Sequence, residues 1–340
     1  MIPALLATTL ALTSGAVANN TVTAVRGIRV GHQTLTERPT GCTVILAEGG
    51  AVAGVAQRGA APGTRETDLL RVIDRADRLD AVVLSGGSAF GLDAATGVMR
   101  WLDEHRRSRI ASANPVPSVA SAVLIDLWVG GKPHVRPGGD CGYRAAAAAT
   151  SAPVAEGTVG AGAGATVGKL SGRDRAMKGG IGSAAVVLPN GLQVAVIVAV
   201  NPLGDVLDPE TGAVVAGVRS AGGSLADARK LLRSGATMAR PSANENTTIA
   251  VVATNAKLTK ADANRVAQMA DAGYARAIAP IHTLADGDTI FALATGQWSG
   301  DVDADAIGAL AADVTAQAIV RAVTTATAAA GIPAARDLKR

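Results

Sequence analysis

The sequence predicts a layered α/β fold, and three observations support this fold class. The chain of 340 residues is 48% apolar but only 2% aromatic, so a large core has to be built mainly from Ala, Val, Leu and Ile. Forty glycines indicate many tight turns and close backbone contacts. Short apolar runs alternate with amphipathic segments along the chain, which favours a dense, sheet-rich domain over an array of helices.

The first half of the chain reads as short strands followed by two helices. Apolar runs bounded by glycine or polar residues predict strands at 27–31, 42–46, 51–55 and 81–84. A helix should follow the last strand, and a second helix should begin near Gly142. The first helix is expected to bury one face, formed by Leu92, Ala95, Val98, Met99 and Leu102.

The second half contains the clearest local signals. A hairpin is predicted over 183–200 with its turn at Pro189-Asn190-Gly191, and a short helix over 225–232. The β-branched run 247–254 predicts a buried strand, and Thr259 with Asp262 predicts the start of a helix. A strand at 289–295 and an alanine-rich helix at 303–330 should close the chain.

Charge and hydropathy exclude two classes of partner. The net charge is +4, from 32 basic and 28 acidic residues, and the basic cluster 106–109 lacks the interleaved aromatics of a nucleic-acid site. We expect it to be a solvated helix end. After the N-terminus no apolar run predicts a membrane span. Residues 2–18 resemble a signal-peptide core ending in Ala-x-Ala, but no Lys or Arg precedes them. We therefore expect a cytoplasmic protein, with export by a signal peptide as the alternative.

The chain has two cysteines and four histidines, which limits metal sites and histidine-based catalysis. Cys42 and Cys141 are isolated thiols that could pair, but we expect them to be buried as small apolar side chains. Two cysteines without a Cys-x-x-Cys motif do not make a structural zinc site. We predict no metal and no organic cofactor.

The segment Gly86–Gly91 lies between a predicted strand and a predicted helix. A nucleophile elbow requires glycine two residues after the serine, and Phe90 occupies that position after Ser88. The dinucleotide motif GxGxxG does not fit either. We predict a turn that packs the helix on the strand, with Ser88 bordering a substrate pocket.

The strongest candidate for a reactive residue is Thr247. A polar segment, 240–246, leads directly into the apolar strand that Thr247 opens. If its hydroxyl attacks the Asn246 carbonyl, an N→O acyl shift and hydrolysis leave a threonine with a free α-amine. That amine has a reference pKa of about 7.7–8.0, which suits a general base and needs no histidine. Thr237 is a poorer candidate because Pro241 follows it closely.

Two carboxylates stand close together in Asp286-Gly287-Asp288, just before the last predicted strand. Such a pair can bind a cation or orient a polar catalytic group. An Asp-Gly turn with solvated carboxylates is the alternative.

These segments together resemble the DmpA-type L-aminopeptidases/D-esterases, and especially their branch of nylon-oligomer hydrolases (NylC). The resemblance covers about residues 22–298. It is carried by 27–32, 58–67, 85–92, 201–202, 246–249 and 282–289. It implies a four-layer αββα sandwich, an N-terminal extension at 1–20, an α chain at 21–246 and a β chain at 247–340 after self-cleavage.

The resemblance also implies a role for each matched residue. Thr247 would be the nucleophile and, through its amine, the base, while Asp286 and Asp288 would orient that amine. Asn201 would stabilise the oxyanion, and Lys169 would support it or lower the pKa of the amine. Ile125 stands where the nylon-oligomer branch has tyrosine, so one hydroxyl is missing. Ile125 and Asp126 are further candidates for the substrate pocket.

The expected activity is therefore that of a self-processing amide hydrolase, an aminopeptidase or an amidase acting inside short oligomers, with esterase activity as an addition. The expected assembly is a homo-oligomer of αβ units, a tetramer, acting on small peptides or amide oligomers. Two alternatives remain open. One is an acyltransferase of the ornithine-acetyltransferase type, and the other is a non-catalytic binding protein on the same fold.

Overall fold

The computed structural model describes residues 19–105, 116–237 and 246–338. The predicted signal-like segment 2–18, the basic cluster 106–109 and the linker up to residue 245 lie outside these ranges. The helices are α1 (Ala94–Glu104), α2 (Gly139–Ala147), α3 (Ala228–Arg233), α4 (Lys260–Ala270), α5 (Ala272–Ala277) and α6 (Ala304–Thr325). The strands are β1 (Ile28–Thr34), β2 (Gly41–Gln57), β3 (Thr64–Arg65), β4 (Arg78–Ser85), β5 (Val119–Val123), β6 (Thr166–Val167), β7 (Met177–Lys178), β8 (Gly180–Val187), β9 (Gln193–Asn201), β10 (Asp205–Leu207), β11 (Val214–Ala216), β12 (Thr247–Thr254), β13 (Ile278–Ala279) and β14 (Thr289–Ala294).

Nine of these strands form one mixed sheet whose order is β3-β5-β4-β2-β14-β12-β9-β8, with β1 paired to β2. Strand β2 joins the two halves of the sheet, because its first part pairs with β1 and β4 and its last part pairs with β14. Strands β12 and β14 are parallel, and β9 runs antiparallel to β12. This arrangement brings the start of β12, the start of β14 and the end of β9 to the same end of the sheet.

Successive residues of the strands point to opposite faces of the sheet and so contribute to different apolar cores, of which three contain strand residues. Between the two halves of the sheet lies a core that contains Val82 of β4, Ile197 of β9 and Val251 of β12. Helices α4, α5 and α6 cover the outer side of β9, β12 and β14, while α1 and α2 cover the outer side of β2 and β4. The layers are thus helix, sheet, sheet and helix, which confirms the four-layer αββα prediction.

The local predictions agree with most elements and are wrong for two. The hairpin β8–β9, the strand β12 and the capping box of Thr259 and Asp262 at α4 are confirmed. The predicted strands at 42–46 and 51–55 are one strand, because Gly49 and Gly50 adopt positive φ and form an irregularity rather than a chain reversal.

The last long helix ends earlier than predicted. Helix α6 stops at Thr325 instead of near residue 330, and Ala326 is extended. The guanidinium of Arg336 donates to the carbonyl oxygens of Thr324 and Thr325, so the helix end is capped by a residue that follows it in sequence. Alanine content alone could not predict this tertiary contact.

Helix α6 is also long and apolar enough to cross a membrane by length and composition alone. Of its most hydrophobic window, 61% is buried within the molecule, where the helix packs on β8 and β9. The same length and composition occur in the core helices of soluble proteins, so this feature is weak evidence for a span.

The expectation for the two cysteines is corrected by the structure. Cys42 at the start of β2 and Cys141 in α2 are buried as expected, but they form a disulfide. They are 99 residues apart in sequence, so only the packing of α2 on β2 brings them together. Their spacing in the sequence carries no signal for this pairing.

Candidate active site

The predicted site residues come together at one end of the sheet. Thr247 is the first residue of β12, and its register partner is Asn201, the last residue of β9. Asp288 directly precedes β14, the parallel neighbour of β12. All three side chains are almost completely buried, as are those of Lys169 and Asp286. The topology of the sheet therefore assembles the five residues that the sequence singled out.

The peptide bond before Thr247 is held from two sides. The Thr247 hydroxyl contacts the carbonyl oxygen of Asn246, and the Gly287 amide donates a hydrogen bond to the same oxygen at 3.0 Å. A Cβ atom at Gly287 would lie 3.0 Å from Thr247 Oγ1 and 2.5 Å from the carbonyl oxygen of Ala61. Only glycine lets the backbone approach this closely.

The Asn201 side chain is oriented by its neighbours. Its Oδ1 accepts hydrogen bonds from the Thr166 amide at 2.9 Å and from Lys169 Nζ at 3.0 Å. The remaining amide group, Nδ2, is therefore a donor, and it contacts the Ile125 carbonyl oxygen at 3.2 Å. Lys169 also donates to the Asn201 carbonyl oxygen at 2.9 Å. The lysine thus fixes both the backbone and the side chain of Asn201.

Asp288 is held beside the residue that follows Thr247. Its Oδ1 accepts a hydrogen bond from the Thr248 amide at 2.7 Å. Its Oδ2 accepts from His282, through the backbone amide at 3.2 Å and through Nδ1 at 2.9 Å. The carboxylate therefore joins the start of β12 to the loop that precedes β14.

Asp286 is held by the loop that precedes it and by Leu203. Its Oδ2 accepts hydrogen bonds from the amide and the hydroxyl of Thr283, and its Oδ1 accepts from the Leu203 amide at 3.3 Å. Burial raises the pKa of Asp286, and the charge of Asp288 raises it further.

The three candidates for a substrate pocket lie along one edge of this site. Ile125 is half-buried and contacts Asn201 through its carbonyl oxygen. Ser88 is half-buried and its amide donates to the Leu124 carbonyl oxygen at 3.0 Å. Asp126 is fully buried, where its carboxylate binds Arg38 at 2.8 Å. A direct contact between Asp126 and substrate would have to break this ion pair.

Sequence reasoning assigned no role to four groups that the structure places at the site. They are the Gly287 amide, Thr166, His282 and Asp271, whose carboxylate lies 3.1 Å from His282 Nε2. Gly287 and His282 stand in segments that the sequence did single out. Thr166 and Asp271 are distant in sequence and reach the site only through folding. Over the described ranges, no three His, Cys, Asp or Glu side chains are grouped to hold a metal ion.

Comparison with protein families gives a match over most of the chain. The model of peptidase family S58 matches residues 20–336. An uncharacterized aminopeptidase of Mycobacterium tuberculosis is 42% identical over 345 residues, which cover 94% of this chain and 98% of the relative. A 6-aminohexanoate-oligomer endohydrolase of Kocuria sp. is 30% identical over 309 residues, covering 87% of this chain and 84% of the relative.

Solved structures share the fold. A Burkholderia sp. beta-aminopeptidase superposes with a TM-score of 0.66 at 25% identity, covering 93% of this chain and 90% of that one. The L-aminopeptidase D-Ala-esterase/amidase of Ochrobactrum anthropi gives a TM-score of 0.68 at 20% identity, covering 93% and 89%. The latter is described as a variant of the Ntn-hydrolase fold.

Proposed function

The chain belongs to peptidase family S58 and is a hydrolase of peptide or other amide bonds, and from this premise we propose that it cleaves itself before Thr247 and uses the freed threonine as its nucleophile. The observation that carries the proposal is the pair of contacts to the Asn246 carbonyl oxygen. Its oxygen accepts a hydrogen bond from Gly287, and the Thr247 hydroxyl lies against it. A hydroxyl and a backbone N–H donor therefore both lie against this buried peptide bond, which supports the proposed self-cleavage.

Self-cleavage would proceed in two balanced steps. Thr247 Oγ attacks the Asn246 carbonyl carbon, and the Gly287 amide stabilises the negative charge that develops on the oxygen. The C–N bond breaks, the nitrogen takes up the proton that the hydroxyl has lost, and an ester joins Asn246 to Thr247 Oγ. Water then hydrolyses the ester. The products are an Asn246 carboxylate and a Thr247 with a free hydroxyl and a free α-amine.

Turnover would reuse the same groups. The neutral amine of Thr247 takes the hydroxyl proton while Oγ attacks the substrate carbonyl, and the leaving amine receives that proton. The acyl-Thr247 ester is then hydrolysed by a water molecule that the amine activates. In this scheme Asn201 donates from Nδ2 to the oxyanion, Lys169 holds Asn201, and the acidic pair orients the start of β12.

Small amides are the substrates that the comparisons favour. Relatives are named as aminopeptidases and as a 6-aminohexanoate-oligomer endohydrolase, so we propose that short peptides and linear amide oligomers bind here. A panel of aminoacyl anilides and 6-aminohexanoate oligomers, with and without an added amine acceptor, separates exo- from endo-hydrolysis. The added acceptor also reveals acyl transfer.

The first prediction concerns the hydroxyl of Thr247. Thr247→Val keeps the branched shape but removes the nucleophile, so the chain should remain a single band on a denaturing gel and lose amide hydrolysis. Thr295→Val is the matched control, because Thr295 Oγ1 is also buried, has no partner in the part of the chain that the structure describes, and lies beyond the far end of β14. Cleavage and turnover by Thr247→Val would contradict the proposal.

A further inference from the structure

A chain of charged side chains connects a helix junction to the start of β12. Asp271 stands between α4 and α5, and its Oδ2 lies 3.1 Å from His282 Nε2. The other ring nitrogen of His282 lies 2.9 Å from Asp288 Oδ2, and Asp288 Oδ1 accepts from the Thr248 amide at 2.7 Å. The connection ends one residue away from Thr247.

The geometry of this chain favours a protonated imidazole. Carboxylates are acceptors, and a neutral imidazole can donate from only one of its two nitrogens. Both nitrogens of His282 face carboxylate oxygens at hydrogen-bond distance, so when both carboxylates are ionised only the imidazolium can donate to both. The side chain of Asp271 is 13% exposed, and its Oδ1 is buried with no partner among the described residues. The charge of His282 is thus the main compensation for this carboxylate.

The backbone of His282 also binds Asp288. Its φ is +57°, in the left-handed region that residues other than glycine rarely occupy. In this conformation both the backbone amide and Nδ1 reach the same oxygen of Asp288. A strained conformation of this kind persists only where the surrounding contacts determine it.

We propose that protonated His282 is a positioning residue, which is held by Asp271, fixes Asp288 against the Thr248 amide and thereby sets the place of Thr247. The inference rests on the proposed role of Thr247 as nucleophile. His282 does not touch the reacting atoms. It acts through Asp288, whose carboxylate would otherwise be held at one oxygen only, by the Thr248 amide.

The ionisation of His282 gives the proposal a measurable signature. Burial alone would lower the pKa of His282, but the hydrogen bonds and charges of Asp271 and Asp288 raise it to about 9. Tyr274 of α5 also lies near the ring, at 6.2 Å between centroids, and burial followed by the charges of Asp288 and Asp271 raises its pKa. Positioning should therefore hold through neutral pH and weaken as His282 loses its proton.

The test combines two variants with a matched control. Asn tolerates a left-handed conformation, so His282→Asn keeps the backbone but cannot carry the charge. Asp271→Asn removes one of the two carboxylates that hold the proton. His134→Asn is the control, because His134 is exposed. The readouts are kcat and KM as functions of pH, and the imidazole titration followed by NMR in the uncleaved Thr247→Val protein.

The expected results differ from those of a merely structural residue. His282→Asn should lower kcat by up to about 100-fold with little change in KM, and should abolish the fall in kcat near pH 9. Asp271→Asn should move that fall, and the imidazole titration, to lower pH. The control should keep the wild-type profile. A merely structural role would reduce the amount of folded protein without moving the pH at which kcat falls or the pH at which the imidazole titrates.

Two results would overturn the proposal, and the first does not depend on the role of Thr247. One is an imidazole of His282 that titrates near its reference pKa of about 6.5 in the uncleaved protein. The other is a His282→Asn enzyme with the kcat and pH profile of the wild type. Cleavage of Thr247→Val would instead refute the proposed nucleophile, while the NMR titration would still report on His282.

Discussion

The side-chain amide of Asn201 is oriented by hydrogen bonds from its neighbours. Lys169 and the Thr166 amide both donate to its Oδ1, so Nδ2 is left to face the Ile125 carbonyl oxygen and the site. Thr166 is part of a short strand, β6, and Lys169 follows three residues later. The orientation of one amide thus depends on a segment more than thirty residues earlier in the chain.

The second prediction follows from this orientation. Asn201→Asp keeps the size and the Oδ1 acceptor but replaces the Nδ2 donor, so kcat should fall by about 10²–10³-fold, the usual effect of losing one oxyanion donor. The measurement is kcat on the best amide of the substrate panel. Asn255→Asp is the control, a buried asparagine at the opposite end of the sheet that binds Gln193 and Gly191. Equal losses in both variants would contradict the role of Asn201.

The sequence singled out candidate residues that the structure brings together, but it did not indicate the groups that surround them. A polar segment that leads into an apolar strand indicated Thr247, and the spacing of Asp286 and Asp288 indicated an acidic pair. The role of Asp271 could not be predicted, because its partner His282 reaches it only when α4 and α5 pack beside the loop before β14. The Gly287 amide is a backbone group, so its residue type gives no sign that it donates to Asn246.

Among the elements, the segment around Asp126 joins two edges of the site. Asp126 follows β5 and binds the guanidinium of Arg38, the Thr40 hydroxyl and the Gly87 amide. The turn predicted at Gly86–Gly91 is thereby tied to the end of β5, next to Ile125. No charge of this pair reaches solvent, since both side chains are fully buried.

The third prediction tests this buried ion pair. Arg38→Met leaves the Asp126 carboxylate without its cation and should lower the free energy of unfolding by about 3–5 kcal/mol. Arg276→Met is the matched control, because Arg276 pairs with Asp313 on the surface and such pairs contribute only about 0–1 kcal/mol. Urea unfolding of both variants in the uncleaved Thr247→Val protein measures the difference. Similar losses of unfolding free energy in the two variants would contradict a larger contribution from the buried pair.

Element prediction succeeded where the signal is local. The turn Pro189-Asn190-Gly191 and the capping box at Thr259 use contacts within a few residues, and both appear as predicted. The joining of two predicted strands into β2 was missed because Gly49 and Gly50 fit a chain reversal as well as an irregular strand. Their neighbours β4 and β14 decide between these outcomes.

For the whole molecule, composition predicted a layered domain but not how it is closed. Apolar strands imply a covered sheet, whereas the sharing of β2 between both halves follows only from its pairing with β4 and β14. The tetramer of αβ units, the division at residues 246 and 247, and the cytoplasmic or exported location remain predictions.

The fourth prediction concerns the disulfide between Cys42 and Cys141. It closes a loop of 99 residues between β2 and α2, and such a crosslink typically stabilises a protein by about 2–4 kcal/mol. The double variant Cys42→Ala/Cys141→Ala should lose this much free energy of unfolding, measured in the uncleaved protein. A reducing agent should destabilise the parent and leave the double variant unchanged. A reducing agent that leaves the free energy of unfolding of the parent unchanged would contradict a formed disulfide.

Intact-mass measurement of the purified wild-type protein under denaturing conditions tests the central claim most directly. We predict two chains, one that ends at Asn246 and one that begins at Thr247. An uncleaved chain that hydrolyses amides, or a second fragment that begins at any other residue, would contradict a catalytic threonine freed by its own attack.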